Sequence, residues 1–152
     1  MNENEKWAYS RCMDLCSKSE KCISEILKKL EQWEIAPDKA NKIIVQLVDE
    51  KFIDEKRFAL YYARDKFRFN QWGKVKIAFM LKGKEISAEH IQRALDQIDE
   101  QEYDEMLLGM LTEKARKTKF LNDYDKKGKL TRFAQSRGFE YNLILKALHF
   151  IK

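Results

Sequence analysis

Few of the residues that interrupt helices are present in this chain of 152 residues, which has five glycines and a single proline. Sheet proteins with many tight turns usually need more of both. Apolar residues recur three and four positions apart along most of the chain, and no sustained alternation of apolar and polar residues is found. The sequence therefore predicts an all-α fold.

Long apolar runs are also missing. No stretch reaches the roughly eighteen apolar residues that would span a bilayer, and the polar start, Met1 to Lys6, lacks the apolar centre of a signal peptide. The three cysteines are an odd number, which is typical of reduced thiols rather than of a disulfide framework. We therefore expect a cytoplasmic protein that makes no membrane contact, and nothing in the sequence requires more than a monomer.

Residue patterns that carry catalysis are scarce. His90 and His149 lie far apart, each beside an apolar stripe. Cys12 and Cys16 are one helical turn apart, but no second pair and no nearby histidine completes a tetrahedral metal site. The chain also lacks a phosphate-binding glycine-rich loop and the G-x-S-x-G and H-E-x-x-H motifs. We expect no enzymatic activity, no cofactor and no bound metal.

The apolar stripes repeat along the chain. A shift of 51 residues without a gap superimposes Trp7 on Phe58, Ile26 on Ile77, Leu30 on Leu81, Ile44 on Leu95 and Phe52 on Tyr103. A further shift of 53 residues carries Leu81 to Ala134 and Ile91 to Ile144. Repetition at a fixed period is typical of stacked supersecondary units. We predict three tandem three-helix repeats, residues 1–53, 54–103 and 104–152, that form an elongated, curved stack.

Capping residues indicate where several helices begin. Pro37 suits a first helical turn, and Asp54 and Ser87 are good N-caps. Cys22 stands three residues before Glu25, at the capping-box spacing, although a thiol is a poorer acceptor than a hydroxyl.

Five further residues receive specific predictions. Phe58, Tyr62 and Phe69 are expected in the core, and Trp72 is expected to be partly exposed. Gly128 is expected in the turn that opens a later helix.

Charge is distributed in blocks. Residues 64–84 carry seven Lys or Arg and one Asp, residues 85–105 carry one Arg and eight Asp or Glu, and residues 114–137 carry nine Lys or Arg and two Asp. The basic blocks suit a polyanion such as nucleic acid, or an acidic protein surface. Alternatively, they are solvated helix faces without a partner.

The first basic block is interleaved with aromatic residues, namely Tyr61, Phe67, Phe69 and Trp72. This mixture suits nucleic-acid backbones, because cations contact phosphates and rings stack on bases. The candidate contact residues are Arg57, Arg64, Lys66, Arg68, Trp72, Lys74, Lys76, Lys82, Lys84, Lys126, Lys127, Lys129, Arg132 and Arg137.

Four segments carry a resemblance to the RecX family, and this resemblance covers roughly residues 6–150. The most specific is Phe52-Ile53-Asp54-Glu55-Lys56-Arg57-Phe58-Ala59. The others are Glu25-Ile26-Leu27-Lys28-Lys29-Leu30, Gly73-x-x-Lys76-Ile77-x-x-x-Leu81, and Arg132-Phe133 followed by Arg137-Gly138-Phe139. The chain departs from the family at Lys84-Glu85-Ile86, where Lys-Gly-Ile is usual.

The resemblance implies a bacterial regulator of the RecA recombinase, connected with DNA repair, recombination and the SOS response. Such a protein would bind the groove of the RecA–DNA filament and limit its extension, strand exchange and ATP hydrolysis. Its binding to free DNA would be weak and non-specific. One alternative is a direct DNA-binding protein that uses a three-helix unit as a helix-turn-helix. Another is a structural adaptor for an unrelated protein.

Overall fold

The structure is a computed structural model that describes residues 1–151. This range forms nine α-helices and no β-strand, which confirms the all-α prediction. The helices are α1 (Glu3–Lys18), α2 (Ile23–Gln32), α3 (Pro37–Asp49), α4 (Glu55–Asn70), α5 (Lys74–Gly83), α6 (Ala88–Asp96), α7 (Glu100–Lys117), α8 (Asp123–Ser136) and α9 (Tyr141–Leu148). None of these helices combines the length and the apolarity that crossing a membrane would require.

The predicted N-caps are confirmed. The Asp54 carboxylate accepts the N–H of Arg57 at 3.0 Å, and the Ser87 hydroxyl accepts the N–H of His90 at 3.3 Å. Pro37 is the first residue of α3, where its missing N–H leaves no helical bond unmade.

The turn between the second and third helix of each unit is the clearest sign of the repeat. It contains one residue in the left-handed region, Glu34 (φ 60°), Glu85 (φ 62°) or Gly138 (φ 91°), at spacings of 51 and 53 residues. The next residue donates its N–H to the carbonyl five positions earlier in all three turns, at 3.0 to 3.2 Å. The repeat fold and both predicted shifts are therefore confirmed at this turn.

The 51-residue shift fails at its last pair, Phe52 and Tyr103, where the third unit begins. Phe52 lies in the loop after α3, whereas Tyr103 is the fourth residue of α7, so the predicted pairing of these two residues is wrong. Tyr103 instead matches Phe58, the fourth residue of α4, because Asp99 caps α7 as Asp54 caps α4. Since a boundary at residue 103 would divide α7, we now propose that the third unit begins at residue 99.

Two hydrophobic cores hold the helices together. The first lies among α1, α2 and α3 and is centred on Ile26, Leu30, Ile43 and Leu47. The second runs continuously from Phe58 in α4 to Ile144 in α9. The second and third units therefore share one core.

The aromatic residues of α4 divide differently from the prediction. Phe58 is buried and Tyr62 is half-buried, but Phe69 is 82% exposed, so its assignment to the core is wrong. Phe67 is buried instead, because it continues the inner face of α4 one turn after Ala63. Phe69, two residues later, points about 160° away from Phe67 around the helix.

Gly128 lies inside α8 rather than in the turn before it, so that prediction is also wrong. The Asn122 side chain accepts the N–H of Asp125 at 2.8 Å, and the Asp125 carboxylate accepts the N–H of Leu121 at 3.0 Å. With this cap the helix begins at Asp123, five residues before Gly128.

Candidate binding surface

Three of the predicted contact residues gather around a pair of aromatic rings that includes a fourth, Trp72. Tyr62 and Trp72 lie edge to face with their centroids 6.5 Å apart. The Lys66 ammonium lies 5.1 Å from the Trp72 centroid, and the Lys76 ammonium lies 4.7 Å from it. Lys84 lies 6.0 Å from the Tyr62 ring. Cation–π attraction orients these lysines, and we call Tyr62, Lys66, Trp72, Lys76 and Lys84 the lysine–aromatic surface.

Lys84 also joins the first unit to the second. Its ammonium binds the Glu25 carboxylate at 3.0 Å, and its carbonyl accepts the Ser24 hydroxyl at 2.8 Å. Partial burial lowers the pKa of Lys84, but the hydrogen bond to Glu25 and the electrostatic attraction of Glu25, Cys22 and Tyr62 together outweigh this effect and leave the pKa above its ordinary value. Lys84 therefore belongs both to the lysine–aromatic surface and to the junction between units.

The second basic block reaches this surface through the junction of the second and third units. The Gly73 N–H donates to the Arg137 carbonyl at 2.7 Å, and the Val75 N–H donates to the Gly138 carbonyl at 3.0 Å. The Arg137 guanidinium donates to the Asn70 carbonyl at 3.4 Å. Basic residues that are sixty positions apart in the sequence are thereby brought to one side of the molecule.

Side chains rather than helix amides present the positive charge at the start of α5. The Lys74 N–H donates to the Tyr103 hydroxyl at 2.8 Å, and that hydroxyl donates to the Glu140 carboxylate. Burial, and then the bond to Glu140, raises the pKa of Tyr103 well above its ordinary value, so the hydroxyl keeps its proton. With Gly73 and Val75 also bonded to the third unit, these amides are satisfied within the fold.

The predicted arginines of α4 lie on a different face of that helix. Arg57, Arg64 and Arg68 line a groove between α4, the end of α6 and the start of α7. We call this the arginine groove. Arg57 also has a structural role, since it binds Glu20 of the first unit and the carbonyls of Lys51 and Phe52. Its hydrogen bond to Glu20 raises the pKa of Arg57 above the ordinary value.

The remaining predicted residues lie along α5 and α8. Lys82, Lys127 and Arg132 are exposed. Lys129 forms an ion pair with Asp125 at 3.1 Å and lies 6.0 Å from the Phe120 ring, and Lys126 lies 5.9 Å from the same ring. Lys126, Lys127, Lys129 and Arg132 thus add positive charge along α8, whereas Lys82 lies near the end of α5.

Sequence reasoning missed Lys114 as a site residue. Its ammonium lies 5.0 Å from the Phe133 ring, and the Arg137 guanidinium lies 5.5 Å from the same ring. Lys114 lies within the second basic block, so charge alone could have pointed to it. The contact with Phe133 depends on the packing of α7 against α8, which the sequence does not reveal.

Metal-ligating side chains are dispersed in the part of the chain that the structure describes. No set of three or more His, Cys, Asp or Glu side chains there could hold a metal ion. All three cysteines are free thiols, and burial raises the pKa of Cys12 to about 12. The side chains that the contacts above bring together are cationic groups and aromatic rings.

Comparison with known proteins identifies the family. The family model described as RecX, second three-helix domain, matches residues 54–95, and the model described as RecX, third three-helix domain, matches residues 100–148. Together they match more than half of the chain.

Curated proteins and solved structures agree. Regulatory protein RecX of Acinetobacter baylyi is 29% identical over 140 residues, which are 91% of this chain and 84% of that protein. Regulatory protein RecX of Lactobacillus johnsonii is 23% identical over 141 residues, and this chain spans only 52% of its length. The crystal structure of RecX from Lactobacillus salivarius shares the fold with a TM-score of 0.88, at 20% identity over 99% of this chain and 98% of that one. The chain belongs to the RecX family of regulatory proteins.

Proposed function

We propose that this protein regulates the RecA recombinase, mainly as an inhibitor, by binding in the groove of the RecA–DNA filament. There it limits filament extension, strand exchange and ATP hydrolysis, and it acts as a monomer in the bacterial cytoplasm. The observation that carries the proposal is the meeting of both basic blocks at the Gly73–Gly138 junction. Lys66, Lys76 and Arg137 provide cations there, beside the half-buried Trp72.

The arrangement of this surface suits a filament that contains DNA. Ammonium and guanidinium groups neutralise phosphates, and the contribution of such contacts falls as salt rises. The Glu25 carboxylate, which pairs with Lys84 at the edge of this surface, limits the affinity for naked DNA. We therefore propose that DNA contacts support binding to the filament but do not suffice for it.

The helix-turn-helix alternative receives less support from the structure. A recognition helix inserts into the major groove and needs cationic or amide side chains at its exposed positions. The third helix of the second unit, α6, carries Glu89 and Asp96, and its one arginine, Arg93, lies 4.0 Å from Glu89. Such a helix would be repelled by phosphates, so we retain filament binding as the proposed function.

A three-way binding experiment tests this proposal. Fluorescence anisotropy of the labelled protein would be measured with single-stranded DNA, with RecA, and with RecA assembled on that DNA with a slowly hydrolysed ATP analogue. We expect binding to the filament to be at least about tenfold tighter than to either component, a difference of about 1.4 kcal/mol. Equal affinity for naked DNA and for the filament would favour the direct DNA-binding alternative.

A further inference from the structure

The arginine groove has the composition of a peptide-binding site. It encloses about 490 Å³, and its floor is formed by Leu60, Phe67, Ala94 and Ile98. The floor is aliphatic apart from the buried Phe67 ring. A groove of this size and character fits one or two apolar side chains of a ligand.

The cations of the groove differ in how firmly they are held by the protein. Arg57 is occupied by Glu20 and two carbonyls, and Arg68 binds Glu102 at 3.2 Å. Arg64 pairs with the adjacent Asp65 at 3.4 Å, and both side chains are about half exposed, so water weakens this ion pair. The Arg64 guanidinium also stacks 4.6 Å above the Tyr61 ring, which holds it at the rim of the groove.

We propose that the arginine groove binds an acidic peptide segment with a bulky apolar side chain. The apolar side chain packs on Leu60 and Ile98. A neighbouring carboxylate of the peptide forms an ion pair with Arg64 in place of Asp65. The planar guanidinium accommodates a carboxylate with two parallel hydrogen bonds, which a lysine cannot do. The partner is therefore a protein segment in which acidic residues flank one or two bulky apolar residues.

Charge and shape favour a peptide over nucleic acid in this groove. Asp54 and Glu102 also line it, and their carboxylates would repel a continuous row of phosphates. A peptide places its carboxylates individually and can avoid them. Single-stranded bases stack on exposed aromatic rings, but the floor is largely aliphatic and the exposed Tyr61 ring at the rim is already covered on one face by the Arg64 guanidinium.

The groove is separate from the surface proposed for the filament. Arg64 and Lys66 are both on α4, but a separation of two residues places them about 160° apart around the helix. Binding of an acidic segment therefore needs neither DNA nor recombinase, and its failure would leave the proposed function untouched.

The test measures anisotropy of a short fluorescein-labelled peptide in which glutamates flank a central Leu-Phe pair, with the whole protein and no DNA. Arg64→Glu is the test variant. Lys66→Glu is the matched control, because it changes the charge of the same helix equally on the other face. We expect Arg64→Glu to raise the Kd at least about tenfold and Lys66→Glu to change it less than about twofold. A peptide with serines in place of Leu-Phe should bind about tenfold more weakly.

Several outcomes would overturn the proposal. Equal weakening by both variants would mean that the peptide responds only to net charge, and an unchanged affinity for the serine peptide would mean that the apolar floor is not used. No measurable binding would dismiss the site. If labelled oligothymidylate loses affinity with Arg64→Glu and keeps it with Lys66→Glu, the groove is a nucleic-acid site instead. Arg64→Gln, which keeps a polar side chain, serves as a second variant, and circular dichroism confirms folding.

Discussion

Replacement of Gly138 by alanine is expected to lower the free energy of unfolding by about 2–5 kcal/mol. Gly138 has a φ of 91°, in the region that L side chains rarely adopt. A Cβ at this position would also lie 2.2 Å from the Lys76 Cβ and 2.6 Å from the Lys76 nitrogen. Because backbone stands on both sides, the contact can be relieved only by separating the second unit from the third. Urea unfolding followed by circular dichroism measures the loss.

Gly109→Ala is the matched control for this prediction. Gly109 lies inside α7, and a Cβ there would meet no heavy atom within 4 Å. Alanine should therefore stabilise the helix by about 0.5–1 kcal/mol. If the free energy of unfolding of Gly138→Ala were within about 0.5 kcal/mol of that of the unchanged protein, the close approach of Gly138 to Lys76 would not exist in solution.

The double charge reversal Lys66→Glu with Lys76→Glu is expected to weaken filament binding by about 10- to 100-fold at moderate salt. Both ammonium groups lie over the Trp72 ring, so the variant reverses the charge at the centre of the lysine–aromatic surface. Lys74 is less suitable for this test, because its ammonium lies 4.8 Å from the Tyr103 ring and its replacement would also disturb the junction. Anisotropy on preassembled filaments gives the affinity.

A second double variant controls for net charge. Lys6→Glu with Lys42→Glu changes the total charge equally at two exposed positions of the first unit, on α1 and α3. We expect it to change the affinity less than about threefold, since exposed charges farther than about 10 Å from a contact are largely screened. Equal weakening by both double variants would mean that the filament responds to overall charge and not to this surface.

Local features of the fold were predictable from the sequence. Asp54, Ser87 and Pro37 mark helix starts because a cap depends on residues within one turn of it. The spacings of 51 and 53 residues place the three left-handed turns correctly, since each turn is determined by the helix ends beside it. The 51-residue shift failed at Tyr103, because the loop and helix lengths between units vary without changing the apolar pattern.

The site was less predictable than the fold. The α4 sequence has aromatic residues on all sides, so apolar periodicity could not show that Phe67 is buried and Phe69 is exposed. The charge of the basic block did not by itself distinguish Arg64 from Lys66. Their spacing of two residues places them on opposite faces of α4, but only if that segment is known to be a helix. The approach of Arg137 to Asn70 depends on packing between distant helices, for which a single sequence has no local signal.

The most direct test of the central claim is ATP hydrolysis by RecA on single-stranded DNA while this protein is titrated in at modest salt. We expect hydrolysis to fall to less than about half at well below one regulator per recombinase, because one bound molecule blocks the extension of many protomers. The Lys66→Glu, Lys76→Glu variant should require a correspondingly higher concentration. Unchanged hydrolysis at an excess of the protein, with filaments visible by electron microscopy, would contradict the claim that this protein inhibits the recombinase.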